Sequence, residues 1–173
     1  MSSTDLGLLV LRAVVGLLFA AHGAQKAFGW WSGPGFTGWT GAMERMNLRP
    51  STFWAVVSIG AELGGGLLLA FGLLVPVAVA LFVAQLIAII GRVHLANGFW
   101  NTKGGYEFPL ALGAAAIAVL GTGPGSVSID AALKLSYADS VKVAFLALGV
   151  IGGIVALALP RIQAQNVPAA QAR

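Results

Sequence analysis

The sequence predicts an all-α fold, a polytopic membrane helix bundle of five spans, the fifth of them at the C-terminus. Two observations carry that prediction. Apolar residues make up 58% of the 173 and charged residues only 9%, against roughly a quarter charged in an ordinary soluble domain. So few charges cannot cover a surface facing water, whereas a surface facing lipid needs none. The apolar residues also fall into five runs, most of them near the roughly 20 residues that cross a bilayer core as a helix.

The first run extends from Leu6 to Ala27, is interrupted by Arg12, and holds His22 and Lys26 near its end. The MSSTD before it carries no basic residue, which does not fit a cleaved signal peptide. FGWWSGPGFTGWTGAMERMNLRP follows, too rich in Gly and Pro for a continuous span. Its Trp30, Trp31, Phe36 and Trp39 suit the headgroup zone, and a short interfacial helix is expected from Thr37 to Met46. The second span, Ser51 to Leu74, carries Glu62 near its middle. Pro76 can open the third span in the first helical turn, where a missing N–H costs nothing. That span includes Gln85 and runs to about His94. The fourth, Tyr106 to Gly121, is short, roughly 24 Å at helical rise, and GTGPG stops it. After a polar stretch from Ser126 to Ser140, the fifth span covers Asp139 to Leu159, with Pro160 and Arg161 closing it. The tail QAQNVPAAQAR is expected to be disordered.

The formal charge is +4, but the basic residues are scattered near segment ends and form no patch, so nucleic acid is not an expected partner. They set orientation instead. Lys26, Arg45, Arg49, Arg92, Lys103, Arg161 and Arg173 share one side, against Lys134, Lys142 and the nearby Arg12 on the other. The positive-inside rule then places the N-terminus outside and the C-terminus in the cytoplasm. The absence of cysteine removes disulfides, thiolate chemistry and an intrinsic dithiol relay. Redox chemistry therefore needs a cofactor or a partner. No phosphate-binding loop and no zinc-like ligand spacing is present, the two histidines suit no haem-sized pocket, and no metal site is expected.

Alternating spans bring the end of the first, the end of the third and the start of the fourth to one membrane face. His22, Lys26, Arg92, His94, Asn97, Asn101, Lys103 and Glu107 thus converge on one level. His22 and Lys26 are four apart and share a helix face. Gln85 and Arg92, seven apart, form one stripe, from which His94 is rotated away. Glu107 lies in a first helical turn, where an anion is favoured. Glu62 lies deep in its span, where a carboxylate is costly unless paired, protonated or hydrated. Two readings stay open for it: it faces a ligand, or it forms a structural pair with Arg12. Plainer roles exist for the others as well. His22 can bond a loop carbonyl, Arg92 and His94 can anchor the span, and Trp30, Trp31, Trp39, Phe99 and Trp100 can form an aromatic belt. The glycines between 60 and 66 read as helix packing.

The segments LRAVVGLLFAAHGAQKAFGWW, GAELGGGLLLAFGLLVPVAVAL and VHLANGFW, followed by GGYEFPLALGAAAIAVLGTGPGSVSID, resemble the DoxX family of small bacterial and archaeal membrane proteins. The resemblance covers about residues 6 to 135. It divides the chain into a DoxX-like membrane domain, 1–135, and an extra C-terminal span with its tail, 136–173. It implies a four-helix bundle, and Arg12, His22, Lys26, Glu62, His94 and Glu107 match its pattern. The family takes its name from a subunit of a thiosulfate:quinone oxidoreductase, which implies redox work at the membrane. The resulting expectation is an integral subunit that binds a quinone or similar apolar ligand. Glu62, His22 and His94 would be reactive, with Arg12, Lys26, Arg92, Glu107 and Trp100 lining the site. The fifth span is expected to leave that polar cluster alone. Expected partners are the lipid bilayer and a redox protein, with a second copy of the chain left open. The rival reading is a non-enzymatic scaffold or small-molecule passage in which Arg12 and Glu62 form a clasp.

Overall fold

The computed structural model describes residues 1–165, with side chains through Leu159. Helix α1 spans Ser3–Phe28. Its start is written in MSSTD: the Ser2 hydroxyl accepts from the Asp5 amide at 3.1 Å, and the Asp5 carboxylate accepts from the Ser2 amide at 2.9 Å. This reciprocal capping box satisfies two amides that a helix start leaves open. Gly29, at φ 74°, ends the helix in the left-handed conformation that glycine adopts without strain.

The interfacial helix α2 is Gly35–Arg45. Helices α3, Ser51–Phe71, and α4, Val75–Asn97, follow with only a tight turn between them. Then come α5, Glu107–Thr122, the short α6, Ile129–Ala132, and α7, Asp139–Gln165. Among the described residues no strand forms. Four of these helices, α1, α3, α4 and α7, are long and apolar enough to cross a membrane, while α5 is a shorter apolar helix. Outward rows such as Leu6, Val10, Val14 and Leu17 on α1, and Leu148, Ile151 and Ile154 on α7, are exposed. That apolar exterior is what a lipid-facing bundle presents.

One boundary differs from expectation. Helix α7 continues past Pro160 to Gln165, into the first residues of the tail expected to be disordered; residues 166–173 lie outside the described part. Proline inside a helix leaves the carbonyl four residues earlier without its amide partner. Here that carbonyl belongs to Ala156, and the Arg92 guanidinium donates to it. An outside donor replaces the missing amide, and the helix runs on.

The packing of α1 against α3 sets the register of the bundle. A Cβ on Gly16 would stand 2.5 Å from the Ala70 amide nitrogen, and one on Gly66 the same distance from that of Ala20. Gly23 lies equally close to Leu63. Two backbones in such contact need glycine at the crossing. The positions count in opposite directions, 16 against 70, 20 against 66 and 23 against 63, so the helices are antiparallel. Around this pair the apolar core gathers Phe19, Leu69, Val79, Phe82, Leu112, Ala116 and Val119. Phe19 and Phe82 stack with ring centroids 3.7 Å apart.

The polar stretch after α5 folds back onto the α3–α4 turn. Asp130, fully buried, accepts from the amides of Leu74 at 2.8 Å and Val75 at 3.2 Å, and from the Tyr137 hydroxyl at 3.2 Å. It therefore caps the start of α4 from a distant part of the chain. Burial and the nearby Asp130 carboxylate push the Tyr137 phenol above its ordinary pKa.

Candidate functional site

The α1–α3 register decides which charges meet. Continuing from Gly23 against Leu63 carries Lys26 to Glu62, and their side chains form an ion pair. Arg12 falls at the other end, where it donates to the Ala70 carbonyl at 2.7 Å beside Gly72 and Ser128. The expected Arg12–Glu62 clasp is therefore not formed. Arg12 lies fourteen residues from Lys26 on α1, roughly 21 Å at helical rise, and no rotamer spans that gap.

Glu62 is 3% exposed. One carboxylate oxygen accepts from Lys26 and from the Gln85 amide nitrogen at 2.9 Å, and the same Gln85 nitrogen reaches the Ser58 hydroxyl at 2.9 Å. The second oxygen, Oε2, is buried without a protein partner. Lys26 is further held over the Trp39 ring, 4.0 Å from its centroid. Lys26, Glu62, Gln85 and Ser58 thus form one continuous polar chain across α1, α3 and α4. A π-helical turn, Gly60–Gly64, surrounds Glu62, and a second, Ile90–His94, surrounds Arg92. Such turns insert a residue into the helical repeat and occur often at functional sites.

Beside this chain lies a cavity of about 340 Å³, walled by residues of α2, α3, α4 and α7. Its lining is mainly apolar, including Met43, Val57, Ala84 and Ile89. Ser58, Gln85, Arg92 and the indole of Trp39 supply the polar exceptions. Val57 and Val155, both about half exposed, mark its mouth on the lipid-facing surface between α3 and α7. Arg92 closes the far wall by donating to the carbonyls of Met46, at 3.3 Å, and Ala156. It ties α2 and α7 to α4. The expectation that the fifth span leaves the polar cluster alone is corrected here, because Gly152, Val155 and Ala156 of α7 form one side of the cavity.

The other expected site residues lie elsewhere. His22 is exposed on α1 and its ring faces Phe108 at 6.1 Å. One turn separates it from Lys26, yet helical rotation turns Lys26 toward α3 and His22 toward α5. His94 Nδ1 lies 2.7 Å from the Gly104 carbonyl, which also accepts from Asn97 at 3.2 Å. The Glu107 carboxylate accepts from the Asn101 amide at 3.0 Å, and its own amide donates to Phe99. Residues 94 to 107 therefore bond one another and shape a self-contained loop. Trp100 is 60% exposed and stands edge-on to Phe99. Gln85, Ser58 and Trp39 join the polar chain and the cavity instead. The signal for Gln85 and Ser58 was in the sequence, since both are polar groups inside apolar runs.

The DoxX family model matches residues 7–95. The chain belongs to the DoxX family. It is also 34% identical over 129 residues to "Putative oxidoreductase CatD" of Bacillus subtilis (strain 168), covering 74% of this chain and 87% of that protein. No solved structure matches the chain. Within the DoxX segment lie Trp39, Ser58, Gln85 and Arg92, the polar lining of the cavity, and the Lys26–Glu62 pair behind it, whereas Glu107 and the α7 wall lie beyond the segment.

Proposed function

We propose that this DoxX protein is the membrane subunit of a redox system and holds a quinone or similar apolar ligand in the cavity between α2, α3, α4 and α7. One observation carries the reading: an apolar cavity opens toward lipid and ends on the chain Ser58–Gln85–Glu62–Lys26. A volume of about 340 Å³ falls within the range of small-molecule sites, although at its lower end. It suits a flat ring whose tail leaves through the mouth. When bound, a quinone would take up two electrons and two protons. The Ser58 hydroxyl, which accepts from Gln85, would donate to a ring oxygen, Gln85 would hold that hydroxyl in place, and Glu62 with Lys26 would hold a proton behind Gln85. Met43, Trp39 and Ala84 keep bulk water from the ring. The chain has no cysteine and so no dithiol relay of its own, and in this reading a partner protein would supply the electrons. The relative that bears the name oxidoreductase supports the redox part. The positive-inside count supports an N-terminus outside and a C-terminus in the cytoplasm.

The test is quinone retention, measured by mass spectrometry of lipid extracted from protein purified in mild detergent. Wild type and His22→Ala are expected to retain quinone, and Gln85→Leu and Glu62→Gln to lose most of it. Full retention in both of the latter would sink the reading.

The ion pair itself favours a second reading, a non-enzymatic scaffold in which Lys26–Glu62 is a clasp between α1 and α3. A strong energetic coupling of these two residues in protein that carries no ligand supports it.

A further inference from the structure

Helix α7 is the least buried of the four long apolar helices. It packs chiefly along α4. Its glycines are not equivalent. A Cβ on Gly149 would stand 2.7 Å from the Ala80 carbonyl oxygen, and one on Gly153 2.6 Å from the Ile87 Cβ. Both are close crossings that allow α7 to lie flat on α4. A Cβ on Gly152 would meet only the Ala84 Cβ, at 3.5 Å, an ordinary contact. Helix packing therefore does not require glycine at 152, and glycine weakens a helix relative to alanine.

What the missing side chain leaves open is the cavity. Gly152 and Ala84 are both wall residues, so a side chain at 152 would grow along that wall into the space. The wall is also held in place. Pro160 leaves the Ala156 carbonyl free, and Arg92 binds it one turn beyond Gly152. Helix α7 cannot simply retreat to make room.

We propose that Gly152 is the size-determining residue of the cavity, so that α7, outside the segment the DoxX model matches, selects ligands by the bulk of the part that enters. This rests on the reading that the cavity takes an apolar ligand.

The experiment uses full-length protein in which Trp30, Trp31 and Trp100 are replaced by phenylalanine, leaving emission from Trp39 and Trp54, which both line the cavity. Quenching is titrated with a decyl-tailed benzoquinone and, separately, with bromooctane, which carries no oxygen. Gly152→Leu is expected to raise the midpoint for both by about tenfold, the scale of an overpacking penalty, with Gly152→Val in between. The melting temperature should stay nearly unchanged in both variants and fall in Gly149→Leu. Unchanged midpoints in Gly152→Leu and Gly152→Val, or a melting loss in Gly152→Val equal to that of Gly149→Leu, would overturn the proposal. Saturable quenching of the unsubstituted cavity by bromooctane alone removes the quinone reading and leaves the role of Gly152 standing if its variants weaken it. Quenching by neither removes both.

Discussion

Two cations on one face-to-face helix pair meet opposite surroundings. Arg12 and Lys26 both lie on α1 and both turn toward α3. Arg12 is 2% exposed and bonds a backbone carbonyl at a tightly closed end, where Gly72 leaves room for its guanidinium and Asp130 ties the following turn down. Lys26 meets a carboxylate, and Gln85 and Ser58 carry the polar chain from that carboxylate to a cavity wall. The first end is a structural seam. The second keeps Glu62 Oε2 without a partner and a glutamine at the cavity wall, which are features that packing alone does not call for. The lesson is that a buried charge is informative only together with what surrounds it.

The largest effect should come from breaking the ion pair. Lys26→Met leaves Glu62 buried and unpaired, and removal of one partner of a buried pair typically costs about 3–5 kcal/mol. Thermal unfolding in detergent should show that loss, and Lys26→Met combined with Glu62→Leu should recover most of it. A double variant as weak as the single one would deny the pair its importance.

At the closed end, Asp130→Ala strips acceptors from the amides of Leu74 and Val75. A buried group left without a partner costs about 1–3 kcal/mol, so the melting temperature should fall while quinone retention per folded molecule stays the same. Reduced retention in the folded fraction would mean that the two ends communicate.

The smallest effect separates the ends directly. Arg12→Ala and Glu62→Gln should add in stability to within about 0.5 kcal/mol, as residues without shared partners do. Lys26→Met and Glu62→Gln should not add. Coupling of Arg12 with Glu62 as strong as that of Lys26 would return the clasp to the other end of the bundle.

Much of this could be read from residues alone. Five apolar runs at 9% charge leave few alternatives to a membrane bundle, and MSSTD, Pro76 and GTGPG mark helix ends by local chemistry. Glu62 stood out because a carboxylate is rare at its depth. Arg12 is the candidate partner that the residues suggest for it, whereas Gly16, Ala20 and Gly23 on one helix and Gly66 and Ala70 on the other set a register that selects Lys26. Shared membrane level was also too coarse a criterion for His22 and His94. Residues at one depth can face different neighbours, and helical rotation with loop hydrogen bonds sent both away from Glu62.

The sequence by itself determined the class of the molecule, the approximate position of every membrane helix and the residues whose burial needs compensation, because composition and periodicity act locally. Tertiary structure decided which cation compensates Glu62, that Asp130 caps a helix far along the chain, and that α7 walls a cavity beside Gln85. Those outcomes depend on the register and rotation of whole helices, set by many small contacts at once, and no single stretch of residues contains them.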